Sequence, residues 1–170
     1  DRTRQELNSI WEQRLSQVTV QTNNRNDKEK FYGALYRASF LPRTFNDVDG
    51  RYPSFSTGHP FRQSANGRNY YEDYSMWDTY RALHPLVNIL TPKKAGDMMQ
   101  SLVDKYEQGG WLPIFPCWNS YTAAMIGDHC ISALGDAYIK GIRNFDINKA
   151  CEGMLRNAFR TPATYEEYKN

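Results

Sequence analysis

Trp77 and Asp78 stand side by side in "YSMWDTYRALHPL" at what reads as a helix start. A carboxylate beside an indole suits a polar ligand that has one apolar face. A second reading is purely local. Ser75 and Asp78 have the Ser-x-x-Asp spacing of a capping box, in which Asp78 bonds back to the helix start and favours the positive end of the dipole. The two roles are compatible, because a first-turn carboxylate can point one oxygen at a ligand.

Other candidates are weaker. Glu107 falls in the last turn of a predicted helix, where the dipole disfavours negative charge, so a raised pKa of the kind a general acid needs is conceivable; an exposed glutamate explains it equally well. Asp128 and His129 could be a base and its orienting partner, although adjacent helical residues diverge by ~100° and do not naturally pair. "NDVDGRY" (46–52) invites a calcium-loop reading, but Phe45 and Ser56 fall where that loop needs ligands, so a tight turn at Asp49-Gly50 is expected instead. Cys117, Cys130 and Cys151 contain no C-x-x-C, and His59, His84 and His129 are far apart, so no zinc site is expected within this chain. The thiols read as buried, with one disulfide open to a secreted protein. No nucleophile elbow, P-loop or dinucleotide fingerprint is present.

The elements that must hold these residues read as helices joined by loops. Apolar spacing predicts a helix over Arg4–Val20 with Leu7, Ile10, Trp11, Leu15 and Val18 on one side, then a helix after a cap at Asp27, stopped by Pro42. Residues 43–74 are rich in glycine and proline and predict irregular structure, with a short hairpin around Asn66-Gly67. A stretch of that length without regular elements is usually functional. Further helices are predicted over Ser75–Leu90 (kinked at Pro85), Thr91–Tyr106, Ala123–Lys140 and Ile147–Phe159. About six helices with long aromatic loops predict a helical hairpin array, bundle or toroid.

Composition narrows the partners. The 170 residues carry 21 basic and 19 acidic side chains, a net charge of +2 with no basic block, so neither nucleic acid nor an anionic membrane surface is expected as a partner. No apolar run approaches the roughly 20 residues that span a bilayer. Twelve tyrosines and four tryptophans suit wet clefts for sugars, or equally a tyrosine-rich core. The charged start "DRTRQELNSI" and the polar end "TPATYEEYKN" predict a processed chain or an internal piece of a longer one.

"FYGALYRASFLPRTFNDVDGRY", "YSMWDTYRALHPL", "YEQGGWLPIFPCWNSYTAAMIGDHC" and "DAYIKGI", in that order, resemble glycoside hydrolase family 92, the calcium-dependent exo-acting α-mannosidases. The resemblance runs from about residue 5 to residue 160. It implies an N-terminal β-sandwich followed by an (α/α)6 catalytic barrel, of which this chain would supply a connecting helix (1–25) and the opening part (26–170). The expected fold class is therefore all-α, with helical hairpins forming part of an (α/α)6 barrel and long irregular loops.

The resemblance implies hydrolysis of terminal α-linked mannose, often 1,2-linked, from glycans with inversion. Inversion uses an acid and a base carboxylate about 6.5–9.5 Å apart. In the family these, and the calcium ligands, come from segments further downstream, so Glu107, Asp128 and Asp78 are not assigned as catalytic. Trp77 and Asp78 match a family motif lining the mannose pocket, and Trp118, Asp128 and His129 are candidates for its rim. The expected partners are a mannose-containing glycan and the rest of the polypeptide, in a secreted, periplasmic or cell-surface setting. The rival expectation is a non-catalytic sugar-binding or structural segment.

Overall fold

Hydrophobic spacing in the first forty residues produces two helices, α1 (Arg2–Leu15) and α2 (Arg25–Arg37). α1 stops short of the predicted Val20. Asn24, not Asp27, caps α2, its side chain accepting the Asn26 N–H at 3.0 Å. Asp27 falls instead in the first turn, where the dipole favours a carboxylate. The Trp11 ring packs on Tyr36 at 4.5 Å and on Phe40 at 6.2 Å. Even so, no residue of either helix is fully buried, and Leu7 and Ile10 of the predicted stripe stay exposed.

The structure, a computed structural model, describes residues 1–163, the Asn66 side chain aside. Residues 164–170, the end of the segment expected to run over 26–170, lie outside the described residues. Two compact units result, Asp1–Phe40 and the chain from Leu41 onward.

In the second unit the stretch predicted to be irregular is a nest of short strands. β1 (Arg43–Thr44) pairs antiparallel with β4 (Tyr71–Glu72), and within that ladder β2 (Arg51–Pro53) pairs with β3 (Phe61–Gln63). The hairpin therefore closes around residues 54–60, and Asn66-Gly67 lies in a 3-10 turn (Ala65–Gly67) instead. The predicted Asp-Gly turn is present: Gly50 has φ +84° and donates its N–H to the Asp47 carbonyl at 2.9 Å.

The single helix predicted over 75–90 is two, α3 (Met76–Thr79) and α4 (Leu83–Leu90). Pro85 cannot donate to the Arg81 carbonyl, and its ring would collide with it in a continuous helix. The break puts Pro85 in the first turn of α4, where an N–H would have no intrahelical partner anyway. α5 (Pro92–Gly109) starts at the predicted Thr91-Pro92 and ends on Gly110, left-handed at φ +90°. α6 (His129–Ile139) begins well after the predicted Ala123, because Thr122, Ala123, Met125 and Gly127 all take positive φ and cannot propagate a right-handed helix. α7 (Ile147–Phe159) coincides with its prediction, and Asp146 caps it by accepting the Lys149 N–H at 2.9 Å.

α5 is the axis of this unit, buried without interruption from Ala95 to Tyr106. Its Met98, Met99, Leu102 and Val103 form one core with Met76, Val87, Ala133, Leu134, Ala137 and Ala150. α7 crosses closely at Gly153, where a Cβ would come within 2.9 Å of the Leu112 side chain. The opposite face of α5 is polar and buried as well. Asp97, Ser101, Asp104 and Lys105 recur at helical spacing and turn toward residues 68–72. Ser101 Oγ accepts the Tyr71 N–H at 2.9 Å, and Asp104 pairs with Arg68 at 2.9 Å. Apart from the short strands, the predicted all-α class with long loops holds.

Candidate functional site

Trp77 and Asp78 occupy the single turn of α3, and both are exposed. The predicted capping box does not form. The Ser75 hydroxyl donates to Asp78 Oδ2 rather than capping a backbone N–H, and Asp78 N–H bonds the Ser75 carbonyl at 3.1 Å. Asp78 Oδ1 carries no hydrogen bond from the described residues, so the carboxylate presents an open acceptor. The Arg81 guanidinium lies 5.0 Å from the Trp77 ring and 5.1 Å from Tyr80, and donates to the Trp77 carbonyl at 3.1 Å.

Tyr80 carries this turn to the second predicted cluster. Its ring stacks on His129 at 4.2 Å and 8°. His129 opens α6, and Asp128 precedes it as the N-cap residue, without a side-chain capping bond. The two side chains part: Asp128 Oδ2 accepts from Asn157 Nδ2 at 3.0 Å, while His129 serves the stack. Burial raises the Asp128 pKa, opposed by the Asn157 hydrogen bond, and its Oδ1 is buried without a partner among the described residues. Asn157 also brackets Leu112, accepting its N–H at 3.2 Å and donating to its carbonyl at 2.9 Å.

Trp118 is anchored to the other side of the same turn. Tyr74 donates its N–H to the Pro116 carbonyl at 2.9 Å, one residue before Ser75. Asp73 Oδ1 receives the Cys117 thiol at 3.0 Å and the Trp118 N–H at 3.3 Å, and Asp73 pairs with Arg43. Burial and the Asp73 carboxylate push the Cys117 thiol up to about 12, which makes it inert as a nucleophile. Asn119 donates its N–H to Glu72 Oε1 at 3.3 Å, and its amide reaches the Ser54 carbonyl and His59 Nδ1, each at 2.9 Å. Trp118 and Asn119 both sit in the left-handed region, at φ 55° and 57°.

Beneath that loop lies a buried ion pair. Lys105 Nζ is 2.7 Å from Glu72 Oε2 and donates to the Tyr71 carbonyl at 2.7 Å, and neither charged side chain is solvent-accessible. Tyr70 and Tyr74 lie over the ammonium at 4.1 and 5.3 Å. Burial pulls the lysine pKa down while Glu72 pushes it back up.

Two clusters considered in the sequence lie elsewhere. Glu107 lines a hollow of about 270 Å³ with Tyr106, Gly110, Lys149, Glu152 and Arg156. The three cysteines are unpaired; Cys130 is buried as predicted, whereas Cys151 is exposed. Among the described residues no group of three or more His, Cys, Asp or Glu side chains could hold a metal ion. No described helix is long and apolar enough to cross a membrane.

The model of the glycosyl hydrolase family 92 catalytic domain matches residues 1–170. The chain belongs to glycosyl hydrolase family 92. Among solved structures it is similar to the family GH92 α-mannosidase BT3965 from Bacteroides thetaiotaomicron, at 32% identity and a TM-score of 0.84. That match covers 92% of this chain and 21% of the other, and the same enzyme in complex with mannoimidazole matches equally well. The inverting mannosidase BT2199 from Bacteroides thetaiotaomicron VPI-5482 matches at 28% identity and a TM-score of 0.83, over 95% of this chain and 22% of that one. No curated protein matches significantly. The chain thus spans about a fifth of the length of these solved family 92 enzymes.

Within this family 92 chain, the turn bearing Trp77 and Asp78, the start of α6 and the Trp118 loop are linked through Tyr80, Tyr74 and Asp73. The candidates Trp77, Asp78, Trp118, Asp128 and His129 lie on these linked segments, and Arg81, Asn157 and the Glu72–Lys105 pair, not singled out in the sequence, contact them. The Asp97-Ser101-Asp104-Lys105 spacing on one face of α5 was the available signal, though a polar helical face reads by default as solvated.

Proposed function

We propose that this chain is the opening part of the catalytic domain of an exo-acting α-mannosidase, in which Asp78 accepts hydrogen bonds from hydroxyls of the terminal mannose and Trp77 walls the pocket. The observation that carries the reading is the open Oδ1 of Asp78, beside an indole and joined by the Tyr80–His129 stack to the Asp128 end of α6. One solved relative described as an α-mannosidase and another described as an inverting mannosidase support the substrate and the stereochemical course. A 1,2-linkage preference and a secreted, periplasmic or cell-surface setting complete the proposal.

The proposal puts the general acid and base outside this chain. Asp128 and His129 stand at the rim as positioning groups, and Glu107 has no part. Residues 1–25 act as a connecting helix from a β-sandwich, and 26–170 open an (α/α)6 barrel. Exposed Ile89, Ile126, Ile139 and Phe159 suit a unit on which further helices pack. Calcium is implied by the family, and among the described residues no three His, Cys, Asp or Glu side chains converge that could hold it. Its ligands belong, in this proposal, to the remaining polypeptide.

The test is expression of the full encoded polypeptide and assay of α-mannosides against α-glucosides and α-galactosides, with and without chelator, while NMR follows the first anomer released. Selective α-mannoside hydrolysis giving β-mannose first is the expected result. Asp78→Asn is expected to lower kcat/KM by 10-fold or more, the order of one lost charged hydrogen bond. Unchanged kinetics would remove Asp78 from the pocket, and absence of α-mannoside hydrolysis would remove the mannosidase reading.

A further inference from the structure

Trp118 is the most exposed tryptophan of the second unit, 78% accessible against 40% for Trp77, and its ring meets no other aromatic or cationic side chain among the described residues. An indole left in water by accident is expected on a loose loop tip. This one is held rigidly. Its backbone is left-handed, a conformation that a tryptophan keeps only when the surroundings impose it, and Asn119, which tolerates that region, follows in the same conformation. The imposing contacts come from two separate segments: Asp73 on the Trp118 N–H with its neighbour Glu72 on the Asn119 N–H, and Ser54 with His59 on the Asn119 amide. Glu72 is in turn fixed by the inaccessible Lys105 ammonium.

We propose that Trp118 is a stacking platform for the sugar on the leaving-group side of the scissile bond, and that Asn119 and Glu72 are the positioning residues that hold it. The inference rests on the mannosidase reading and adds a subsite to it. A terminal sugar must be enclosed to be selected, whereas the next sugar sits at the mouth of the pocket, where an outward-standing ring can meet it. The chemistry agrees. The C–H face of a pyranose is attracted to the negative π-face of an indole, and a preformed ring loses little conformational freedom on binding. The location agrees as well, since the Pro116–Tyr74 hydrogen bond ties the loop to the residue just before the Ser75–Asp78 turn.

The experiment uses the full polypeptide and two substrates that differ only in the leaving group, an α-linked mannobiose and α-mannosyl fluoride. For Trp118→Ala the KM for mannobiose is expected to rise about tenfold more than that for the fluoride, with kcat much less affected, and Trp118→Phe is expected to recover part of the loss. Asn119→Gly, which tolerates the left-handed backbone but drops the amide ties, is expected to show the same leaving-group-dependent rise at smaller size. Equal losses on both substrates would move Trp118 into the terminal-mannose pocket and overturn the inference. A lower Tm with unchanged kinetics would make Trp118 a packing residue for later parts of the chain and overturn it too. If the wild-type polypeptide hydrolyses neither substrate, the mannosidase reading fails instead, and the two failures are distinct.

Discussion

Trp77 and Trp118 both stand out from the surface, but the segments beneath them are built differently. Trp77 rides on one helical turn anchored in the core by Met76, but the groups around its own ring are local: a Ser75–Asp78 side-chain contact, a guanidinium laid over two rings, and a backbone bond to its own neighbour. Trp118 rides on a strained loop tied by groups up to 65 residues away in sequence, resting on a buried ion pair. The first arrangement leaves an acceptor free and a ring adjustable. The second spends buried charge on holding one ring in place, because a half-satisfied network at that depth would be worse than an apolar one. In a sugar site the contrast assigns adaptability to the polar grip and rigidity to the flat wall.

Breaking the ion pair tests that contrast hardest. Lys105→Met leaves the Glu72 carboxylate inaccessible and unpaired, and is expected to cost about 3–5 kcal/mol in urea unfolding, with part of the loss recovered in the Lys105→Met/Glu72→Gln double variant. If the single variant is harmless, the loop does not rest on the pair.

Acid tests the shared anchor. His84 stacks on Tyr74, and burial lowers its pKa to about 4, opposed by Asp136. As pH falls, the unfolded chain takes up this proton before the folded one does. The His84 contribution is therefore fully present above pH 6.5 and declines between 6.5 and 4, by about 3 kcal/mol, and His84→Phe should flatten that part of the stability profile. The smallest effect belongs to the Trp77 turn. Asp78→Asn is expected to change stability by under about 1 kcal/mol, read as a Tm shift of a few degrees at most, because its contacts are exposed and local.

Helix ends and local turns were legible in the sequence wherever one residue decides the backbone. Pro92 and the Asp49-Gly50 turn behave as their chemistry dictates, whereas Asp27 does not cap α2, Ser75 and Asp78 form no capping box and Asn66-Gly67 forms no hairpin. The family and the helical class were also within reach. What was not legible depends on distant partners. The start of α6 moved because Thr122, Ala123, Met125 and Gly127 adopt positive φ, which none of the three non-glycine side chains advertises. The polar face of α5 is buried because residues 68–72 happen to bring matching N–H groups, a guanidinium and a carboxylate to it. The divergence of Asp128 from His129 likewise waits on Asn157, a residue of α7.

Tyr121 is buried completely, and its phenol closes the segment that carries Trp118 by accepting the Trp111 N–H at 3.0 Å and donating to the Trp111 carbonyl at 2.9 Å. Residues 111–121 thereby form an Ω-loop whose two ends one hydroxyl brings together, beside the ties that Asn157, Tyr74, Asp73 and Glu72 make along it. The hydrogen-exchange rate of the single Trp111 amide therefore reports how often the whole loop, with its indole, leaves the surface, and Tyr121→Phe should convert that slow cooperative event into independent, faster fluctuations along its length.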